Sequence, residues 1–362
     1  MTVPTDTETS QLTESSETDR AAVVDQLLVK ERPTMLDVAN AAGLSLKTVS
    51  RVVNDEIGVR PETAARVQAA ISQLGFRRND MARALRSGQL SRTLGLVMED
   101  VSNPFYSAIA RGVEEVTRER GLMLVAGSSD EEPDRERELA LLFCERRVEG
   151  LLIVPAGNDH RYLLPELRLG TTAVFIDRPP GYIEADTVLL DNVGGTRKGV
   201  EYLVERGHRR IGMIGDDAAI FTTRERELGF REALFAAGIP IDDSIIRLGA
   251  HSAGAADESA RELLALPDPP TAIYAGNNRI TFGVLRALAA TGKRVALVGF
   301  DDLELAEFLA LPVTVIAYDA ASLGRHAADL LLQRLEGDDR PPQTVILPTN
   351  LVVRGFGEGR AV

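Results

Sequence analysis

Residues 34–54 read TMLDVANAAGLSLKTVSRVVN, and this stretch decides the fold of the N-terminal region. Thr34, followed three residues later by Asp37, has the pattern of a capping box that begins a helix, and Gly43 supplies the left-handed residue that ends it. Ser45 caps a second helix, whose three valines lie on one face at helical spacing. Two helices joined at a glycine predict a helix-turn-helix, with a generic small helical bundle as the alternative.

The chain beyond this stretch divides into a third helix and a long α/β region. Pro61 suits the first turn of the third helix, which ends at Gly75. From residue 91, short apolar strands alternate with amphipathic helices, which predicts parallel, doubly wound sheets. The nine expected strands are Leu94–Met98, Leu122–Gly127, Gly150–Val154, Ala173–Asp177, Ile211–Gly215, Ile245–Gly249, Ala272–Ala275, Val295–Phe300 and Val313–Ala317. Nine strands over about 270 residues suit two lobes with a cleft between them better than one sheet. The predicted fold class is therefore α/β, with an N-terminal helix-turn-helix and a two-lobed, doubly wound domain over residues 91–362.

Composition excludes several classes of protein. The chain has 362 residues, of which 44% are hydrophobic and 26% charged, which is typical of a globular protein. The single Cys144 excludes a disulfide framework and a cysteine-rich zinc site, and four dispersed histidines argue against a metal centre, so no cofactor is expected. The sequence has neither an apolar run of about 18 residues nor a signal peptide, so we expect a cytoplasmic protein without membrane partners.

The net charge of −13 is distributed unevenly. Residues 1–32 hold seven acidic against three basic residues, and residues 1–33 are expected to form a disordered acidic tail. Residues 34–90 hold eight basic and five acidic residues, an excess of +3, which leaves −12 for residues 91–362. Such asymmetry within one chain favours a nucleic-acid-binding end.

The opening stretch is followed at residues 60–97 by RPETAARVQAAISQLGFRRNDMARALRSGQLSRTLGLV, and together they resemble the LacI/GalR (lactose/galactose repressor) family of transcription factors. The similarity extends over residues 34–357. It implies that the second helix enters the major groove of operator DNA. Leu46, Lys47 and Arg51 would then face base edges, since Lys and Arg can donate to N7 and O6 of guanine. The residues expected mainly at phosphates or as further DNA contacts are Thr34, Ser45, Thr48, Ser50 and Asn54.

The resemblance assigns residues 34–78 to the DNA-binding domain and residues 79–90 to a hinge. In the family, the hinge forms a helix on DNA that enters the minor groove. Leu85 is expected to wedge between base pairs, with Asn79 and Ala82 as further contacts. The alternative is that the apolar side chains of this segment, Met81, Ala82 and Leu85, pack on the next lobe. Arg60 departs from the family, which commonly has a capping Ser there, and losing that cap should cost about 1 kcal/mol.

Polar residues follow the predicted strands, where ligands of such folds bind. The resemblance assigns the effector site to Asn103, Phe105, Asp177, Arg178, Arg226, Asn277, Asp301 and Tyr318. Carboxylates, arginines and amides suit a hydroxyl-rich ligand, and an aromatic ring can stack on its apolar face, so a carbohydrate-like effector is expected. Tyr318 replaces an amide often found there, which weakens the case for a simple pentose or hexose. Asn103 could equally serve as a helix cap, and Asn278 is predicted to cap the helix that follows it.

The predicted function is a homodimeric transcriptional regulator, most often a repressor in this family, that binds a near-palindromic operator under the control of a small-molecule effector. Alternatives are a sugar-binding protein without a DNA role and an effector of the nucleobase type. The sequence lacks a complete G-x-G-x-x-G pattern and a P-loop, so an enzyme is not expected.

Overall fold

The computed structural model describes residues 33–54, 56, 58–77, 91–303, 306 and 313–354. The chain divides into two units with the boundary between residues 89 and 90. Apart from Pro33, the predicted tail lies outside the described residues, and so does the predicted hinge.

The first unit contains the helices predicted from the opening stretch. They are α1 (Met35–Ala42), α2 (Leu46–Val53) and α3 (Pro61–Leu74). Thr34 Oγ1 accepts from Asp37 N–H, whose carboxylate accepts from Thr34 N–H at 2.8 Å, so the capping box is confirmed. Gly43 has φ of 60°, the left-handed conformation that glycine adopts without steric cost. The helix-turn-helix prediction is therefore confirmed.

A small apolar core holds the three helices together, with Val38, Val49 and Val67 fully buried. One polar contact adds to this core, because Arg66 Nη2 donates to Ala42 O, a carbonyl at the end of α1, at 2.6 Å. The carbonyls at a helix end lack partners within the helix, so this bond joins α3 to the end of α1.

The second unit contains two six-stranded sheets, each the centre of one lobe. The first sheet has the order β11-β5-β4-β3-β1-β2 and is parallel throughout. The second has the order β12-β10-β9-β8-β6-β7 and is parallel except for β12, which runs antiparallel to β10. The strands are β1 (Thr93–Met98), β2 (Met123–Ser128), β3 (Gly150–Ile153), β4 (Thr172–Ile176), β5 (Asp186–Leu190), β6 (Ile211–Ile214), β7 (Ile246–Arg247), β8 (Ala272–Ala275), β9 (Ala296–Phe300), β10 (Thr314–Ala317), β11 (Thr344–Leu347) and β12 (Asn350–Val352).

Helices join most of the successive strands, as the βαβ pattern requires, whereas β4 and β5 are joined by residues 177–185 without a helix. They are α4 (Pro104–Glu119), α5 (Pro133–Glu145), α6 (Leu164–Arg168), α7 (Asn192–Glu205), α8 (Phe221–Ala236), α9 (Ala253–Ala265), α10 (Asn278–Thr291) and α11 (Ala320–Leu335). The chain passes between the lobes three times, after β5, after β10 and after β11. The cleft between the lobes is lined by residues that follow the carboxyl ends of strands from both sheets.

All nine predicted strands are present, and the α/β, two-lobed fold class is confirmed. Three further strands, β5, β11 and β12, were not predicted. Two of them, β11 and β12, follow the last helix and belong to different lobes. The strand β11 pairs with β5, more than 150 residues earlier, and β12 pairs with β10, so neither pairing is visible in the local sequence.

Candidate functional site

The second helix of the first unit presents the residues predicted to read bases. Val49 is buried in the core, whereas Lys47 is exposed and Leu46 is 47% exposed. Arg51 differs, because its Nε lies 3.3 Å from Glu56 Oε2 in an ion pair. To donate to a guanine, Arg51 would therefore have to break its ion pair with Glu56. Lys47 is the more directly presented of the two cations.

Residues that were predicted to contact phosphates make hydrogen bonds within the first unit. Ser45 caps α2 by accepting from Thr48 N–H at 3.2 Å, and the two hydroxyl groups lie 2.8 Å apart. Asn54 Nδ2 donates to Ser50 Oγ at 3.3 Å. Hydroxyls can still donate to phosphate oxygens from such positions. The predicted hinge contacts Asn79, Ala82 and Leu85 lie outside the described residues.

The cleft of the second unit holds a polar cavity with an empty volume of about 460 Å³, here called the first cavity. Seven of the eight predicted effector residues line it: Asn103, Phe105, Asp177, Arg178, Arg226, Asn277 and Asp301. Tyr318 is not among the described residues that line it. Its hydroxyl instead donates to Asp301 Oδ1 at 2.5 Å, so it orients a lining carboxylate.

Asp177 and Asp301 occupy equivalent places in the two lobes. Each directly follows a central strand, and each N–H donates to the next strand along, to Val188 O at 2.8 Å and to Ile316 O at 3.0 Å. Both have left-handed backbones, with φ of 67° and 74°. A non-glycine residue held in this region is strained, and such strain is concentrated at functional sites. The backbone thus aims one carboxylate into the cavity from each lobe.

Arg226 is fixed from several sides. Its Nε donates to Asn192 Oδ1 at 2.8 Å and its Nη1 to Gly276 O at 2.6 Å, while its guanidinium lies 3.8 Å from the centre of the Phe300 ring. Burial lowers the pKa of Arg226, but the charge of Asp301 and other nearby groups outweighs this effect and raises it. The group is therefore a permanently charged donor in the cavity wall.

Arg178 is 6% exposed and joins several acidic groups. Its guanidinium donates to Glu131 and, at 2.7 Å, to Pro155 O, and it lies 3.8 Å from carboxylate oxygens of Glu99 and Asp177. Burial raises the pKa of Glu131 to about 7, although Arg178 acts against that rise. Burial also raises the pKa of Asp177, which the same arginine offsets only in part.

Two buried polar atoms at this site lack hydrogen-bond partners within the part of the chain that the structure describes. They are Asp177 Oδ1 and Arg178 Nε, one acceptor and one donor on adjacent residues. An unsatisfied buried polar group costs about 1–3 kcal/mol. Both atoms are closed off from solvent in this arrangement of the lobes.

Sequence reasoning missed three residues that join the two lobes across the cleft, Glu99, Asp100 and Arg279. Arg279 Nη1 donates to Glu99 Oε1 at 2.7 Å and its Nη2 to Asp100 Oδ2 at 2.6 Å. Asn278 Nδ2 donates to Asn103 Oδ1 at 2.9 Å. We call these contacts the interlobe clasp. The position of Glu99 directly after β1 was an available signal, by the strand-end rule that identified the other residues.

The capping prediction for Asn278 is wrong. Asn277 is the cap, since its side chain accepts from Ile280 N–H, and Asn278 is the first residue of α10. The cap lies one residue earlier because Asn277 is still extended, with φ of −159° and ψ of 179°, whereas Asn278 is already helical. Asp301 Oδ2 accepts from Asn278 N–H, a donor of the first turn, at 3.0 Å. Asn103, by contrast, does cap α4 through Phe105 N–H.

Neither a metal-binding cluster nor a membrane-spanning helix is found in the described ranges. His208 is 1% exposed and its Nδ1 lies 2.9 Å from Thr271 Oγ1, which is a structural contact. Cys144 packs at the edge of the first lobe's core.

A helix-turn-helix unit followed by a two-lobed domain with a polar interlobe cavity defines a ligand-responsive, DNA-binding transcriptional regulator. The chain belongs to the lacI family of bacterial regulatory proteins, whose family model matches residues 34–79, while a model of the periplasmic binding protein-like domain matches residues 200–355. It is 34% identical over 340 residues to the HTH-type transcriptional regulator CelR of Thermobifida fusca, covering 91% of this chain and 99% of that protein.

Three further comparisons agree with this family assignment. The ribose operon repressor of Escherichia coli (strain K12) is 32% identical over 328 residues, covering 89% of this chain and 99% of that protein. The crystal structure of the Lac repressor dimer bound to operator and an anti-inducer is similar with a TM-score of 0.80 at 27% identity, covering 90% of this chain and 99% of that one. A complex of CelR with cellobiose has a TM-score of 0.66 at 32% identity, covering 89% of this chain and 99% of that one.

Proposed function

We propose that the chain binds a near-palindromic operator as a homodimer, and that a carbohydrate in the first cavity controls its affinity for that operator. It acts by binding alone, without catalysis, in the cytoplasm where the operator is found. The observation that carries the effector assignment is the cavity lining, in which carboxylates, guanidiniums and amides from both lobes, among them Asp177, Arg226 and Asn277, surround one space. Sugar hydroxyls complement such a set, since each can donate and accept.

The exposed surface of α2 supports the DNA-binding part. Lys47, Leu46 and Arg51 lie on a helix whose opposite face is anchored by Val49, so these side chains can reach base edges without disturbing the core. Regulation then follows from linkage: an effector that binds one arrangement of the lobes more tightly changes operator affinity by the same coupling free energy.

The DNA assignment is tested with an operator obtained by in vitro selection from random DNA, using the full chain. We expect Lys47→Ala to weaken binding to the selected site by about tenfold or more, because a Lys or Arg contact to guanine contributes about 1–3 kcal/mol of discrimination. Binding to random DNA should change little. Gln73→Ala, an exposed change on α3, is the control. Equal losses on selected and random DNA would remove base reading from Lys47.

The effector assignment is tested by thermal-shift screening of the full chain against sugars, sugar phosphates and nucleobases. A sugar that stabilises the wild-type chain should fail to stabilise Arg226→Ala, since that arginine is a fixed donor of the cavity. Stabilisation by nucleobases and by none of the sugars would contradict the carbohydrate assignment. Two chains per palindromic duplex, measured by light scattering, are expected for the homodimer, and a single chain would contradict it.

A further inference from the structure

The helix α8 carries a sequence repeat that neither effector binding nor DNA binding explains. Residues 221–235 read FTTRERELGFREALF, in which the apolar residues Phe221, Leu228 and Phe235 recur every seven residues. Each of the first two is followed, three and four residues later, by an Arg and a Glu. Because seven residues complete almost two turns of a helix, the repeat places its members along one side of α8. We call the following side chains the α8 stripe: Phe221, Arg224, Leu228, Glu232 and Phe235.

The α8 stripe lies on the exposed side of the helix. The opposite side packs into the core, where Phe230, Ala233 and Leu234 are buried. Leu228, by contrast, is 47% exposed and Phe235 is 82% exposed. A single exposed apolar side chain is ordinary in a soluble protein. Two that lie in line on one helix, with charged residues at regular positions between and beside them, form a surface that a partner helix can cover.

Two charged residues of the α8 stripe have no partner of opposite charge within the part of the chain that the structure describes. Arg224 donates to two backbone carbonyls just before α8, but neither it nor Glu232 forms an ion pair among those residues. Both are exposed. Arg231 differs, because Glu227 and Asp243 each hold its guanidinium with an N–O distance of 2.7 Å. Arg224 and Glu232 are therefore the charges that remain for a partner.

The α8 stripe is complementary to itself when two copies of α8 pair antiparallel about Leu228. In such a pair, a residue that precedes Leu228 in one copy faces the residue that follows it by the same number of positions in the other. Arg224 then faces Glu232, and Phe221 faces Phe235. The two-fold axis repeats each contact, so two pairs of opposite charge flank a contact between the two leucines. In a parallel pair, each charged residue would face its own counterpart and repel it.

The α8 stripe is too small to hold a permanent dimer by itself. It offers five side chains per copy, whereas a standard protein–protein interface contains about 20–30 residues on each side. A contact of this size is weak. It therefore suits the association of dimers that a larger contact already holds together.

We infer that α8 pairs antiparallel with α8 of a second copy about Leu228, and that this contact joins two homodimers into a weak tetramer. The inference rests on the proposed homodimer and adds a second interface between copies, with the residues that form it. Leu228 and Phe235 supply the apolar surface that is buried, and Arg224 and Glu232 set the direction of pairing.

The experiment is sedimentation velocity of the full chain, without DNA, at rising protein concentration. We expect dimers to associate into tetramers with a Kd of about 1–100 µM. Leu228→Asp should raise this Kd about tenfold or more, because the two-fold axis brings the two new carboxylates together. Leu169→Asp adds the same charge at a leucine outside α8 that is 82% exposed, and it should leave the Kd unchanged. Phe221 is not substituted, because it also lines a second cavity of the cleft, which shares Arg178 with the first.

Exchange of the two charges tests the direction of pairing. Arg224→Glu places two carboxylates opposite each other, and Glu232→Arg places two guanidiniums opposite each other. Each single change should raise the Kd about threefold to tenfold at low ionic strength, where exposed charges are least screened. The double variant restores opposite charges and should return to within about twofold of the wild-type Kd. A purely structural role of either residue would not produce this rescue.

The outcomes separate the inference from the homodimer beneath it. Dimers that associate no further at about 100 µM would overturn the inference and leave the homodimer standing. The same holds for a double variant that associates as weakly as either single variant. A monomeric Leu228→Asp chain would also overturn the inference, since α8 would then be the dimer contact itself. A wild-type chain that is monomeric at every concentration would overturn the proposed homodimer together with the inference.

Discussion

Glu136 is expected to contribute more to stability than any exposed acidic residue of the second unit. Its carboxylate serves the two backbone donors of Ala156 and Gly157 and the Tyr162 hydroxyl, and its Oε1 lies 3.3 Å from His160 Nε2. His160 Nδ1 accepts from Gly181 N–H at 2.9 Å, so the proton of the neutral ring is on Nε2 and faces Glu136. Three hydrogen-bond donors therefore converge on one buried side chain, and His160 Nε2 lies 3.3 Å from it.

Glu136→Ala removes the acceptor and leaves these donors buried. Each unsatisfied donor costs about 1–3 kcal/mol, and removing one partner of a buried charged group costs about 3–5 kcal/mol in total. Tyr162 is only partly buried and can bond to water instead. We therefore expect the free energy of unfolding to fall by about 3–5 kcal/mol, the cost of breaking one buried ion pair. Glu136→Gln keeps the shape and one oxygen, so about 1–3 kcal/mol is expected.

The measurement is urea unfolding of the full chain followed by far-UV circular dichroism, since the chain contains no tryptophan. Glu138→Ala, an exposed acidic change on the same helix, is the control and should stay within about 0.5 kcal/mol. A loss below about 1 kcal/mol for Glu136→Ala would refute the reasoning, because it would show that water replaces the carboxylate.

The same variants carry a pH dependence. Burial raises the pKa of Glu136, but the hydrogen bonds from His160, Tyr162 and Ala156 N–H outweigh it, so the pKa lies below its usual value of 4.5. A carboxyl with a lowered pKa in the folded state stabilises the fold above its unfolded pKa and loses that contribution as the pH falls through the folded value. The stability gap between wild type and Glu136→Gln should therefore narrow below about pH 4.5.

Three further predictions use the same unfolding measurement. Arg60→Ser should stabilise the first unit by about 1 kcal/mol, because α3 lacks a side-chain cap among the described contacts, and an unchanged midpoint would contradict this. Arg279→Gln, which removes both ion pairs of the interlobe clasp, should cost about 1–2 kcal/mol, whereas the exposed Arg286→Gln on the same helix should cost almost nothing. The hydrogen bond that the His251 ring donates to the Asp216 carboxylate raises the pKa of His251 above 6.5, so its contribution is fully present below pH 6.5 and declines as the pH rises through the folded value. His251→Gln should abolish that decline, and an identical pH profile in the variant would contradict the assignment.

Much of the fold followed from local rules in the sequence. The caps at Thr34 and Ser45 and the left-handed Gly43 depend on neighbours within four residues, so they could be predicted without knowledge of tertiary structure. The cavity carboxylates Asp177 and Asp301 could also be predicted from the sequence, because each directly follows a predicted strand and ligands bind at the carboxyl ends of parallel strands. Their left-handed backbones could not be predicted, since the strain is imposed by pairing with the next strand.

The remaining features depend on contacts distant in sequence. Arg279 and Glu99 are 180 residues apart, and their contact exists only once two separately formed sheets face each other. The strands β11 and β12 belong to different lobes although two residues separate them. The cap of α10 is Asn277 rather than Asn278, and the first-turn donor Asn278 N–H is bound by Asp301, which follows another strand.

The proposed effector site and the interlobe clasp share one carboxylate, that of Glu99. Glu99 accepts from the Tyr106 hydroxyl at 2.7 Å within its own lobe and from Arg279 across the cleft, and it lies 3.8 Å from Arg178. Arg178 in turn borders both cavities, so a ligand that binds its guanidinium changes the electrostatic environment of the carboxylate that joins the lobes. Buried charges interact strongly because water screens them little. A neutral, hydroxyl-rich ligand adds hydrogen bonds here without adding charge, and so it can strengthen the clasp where an anionic ligand would compete with Glu99 for both arginines.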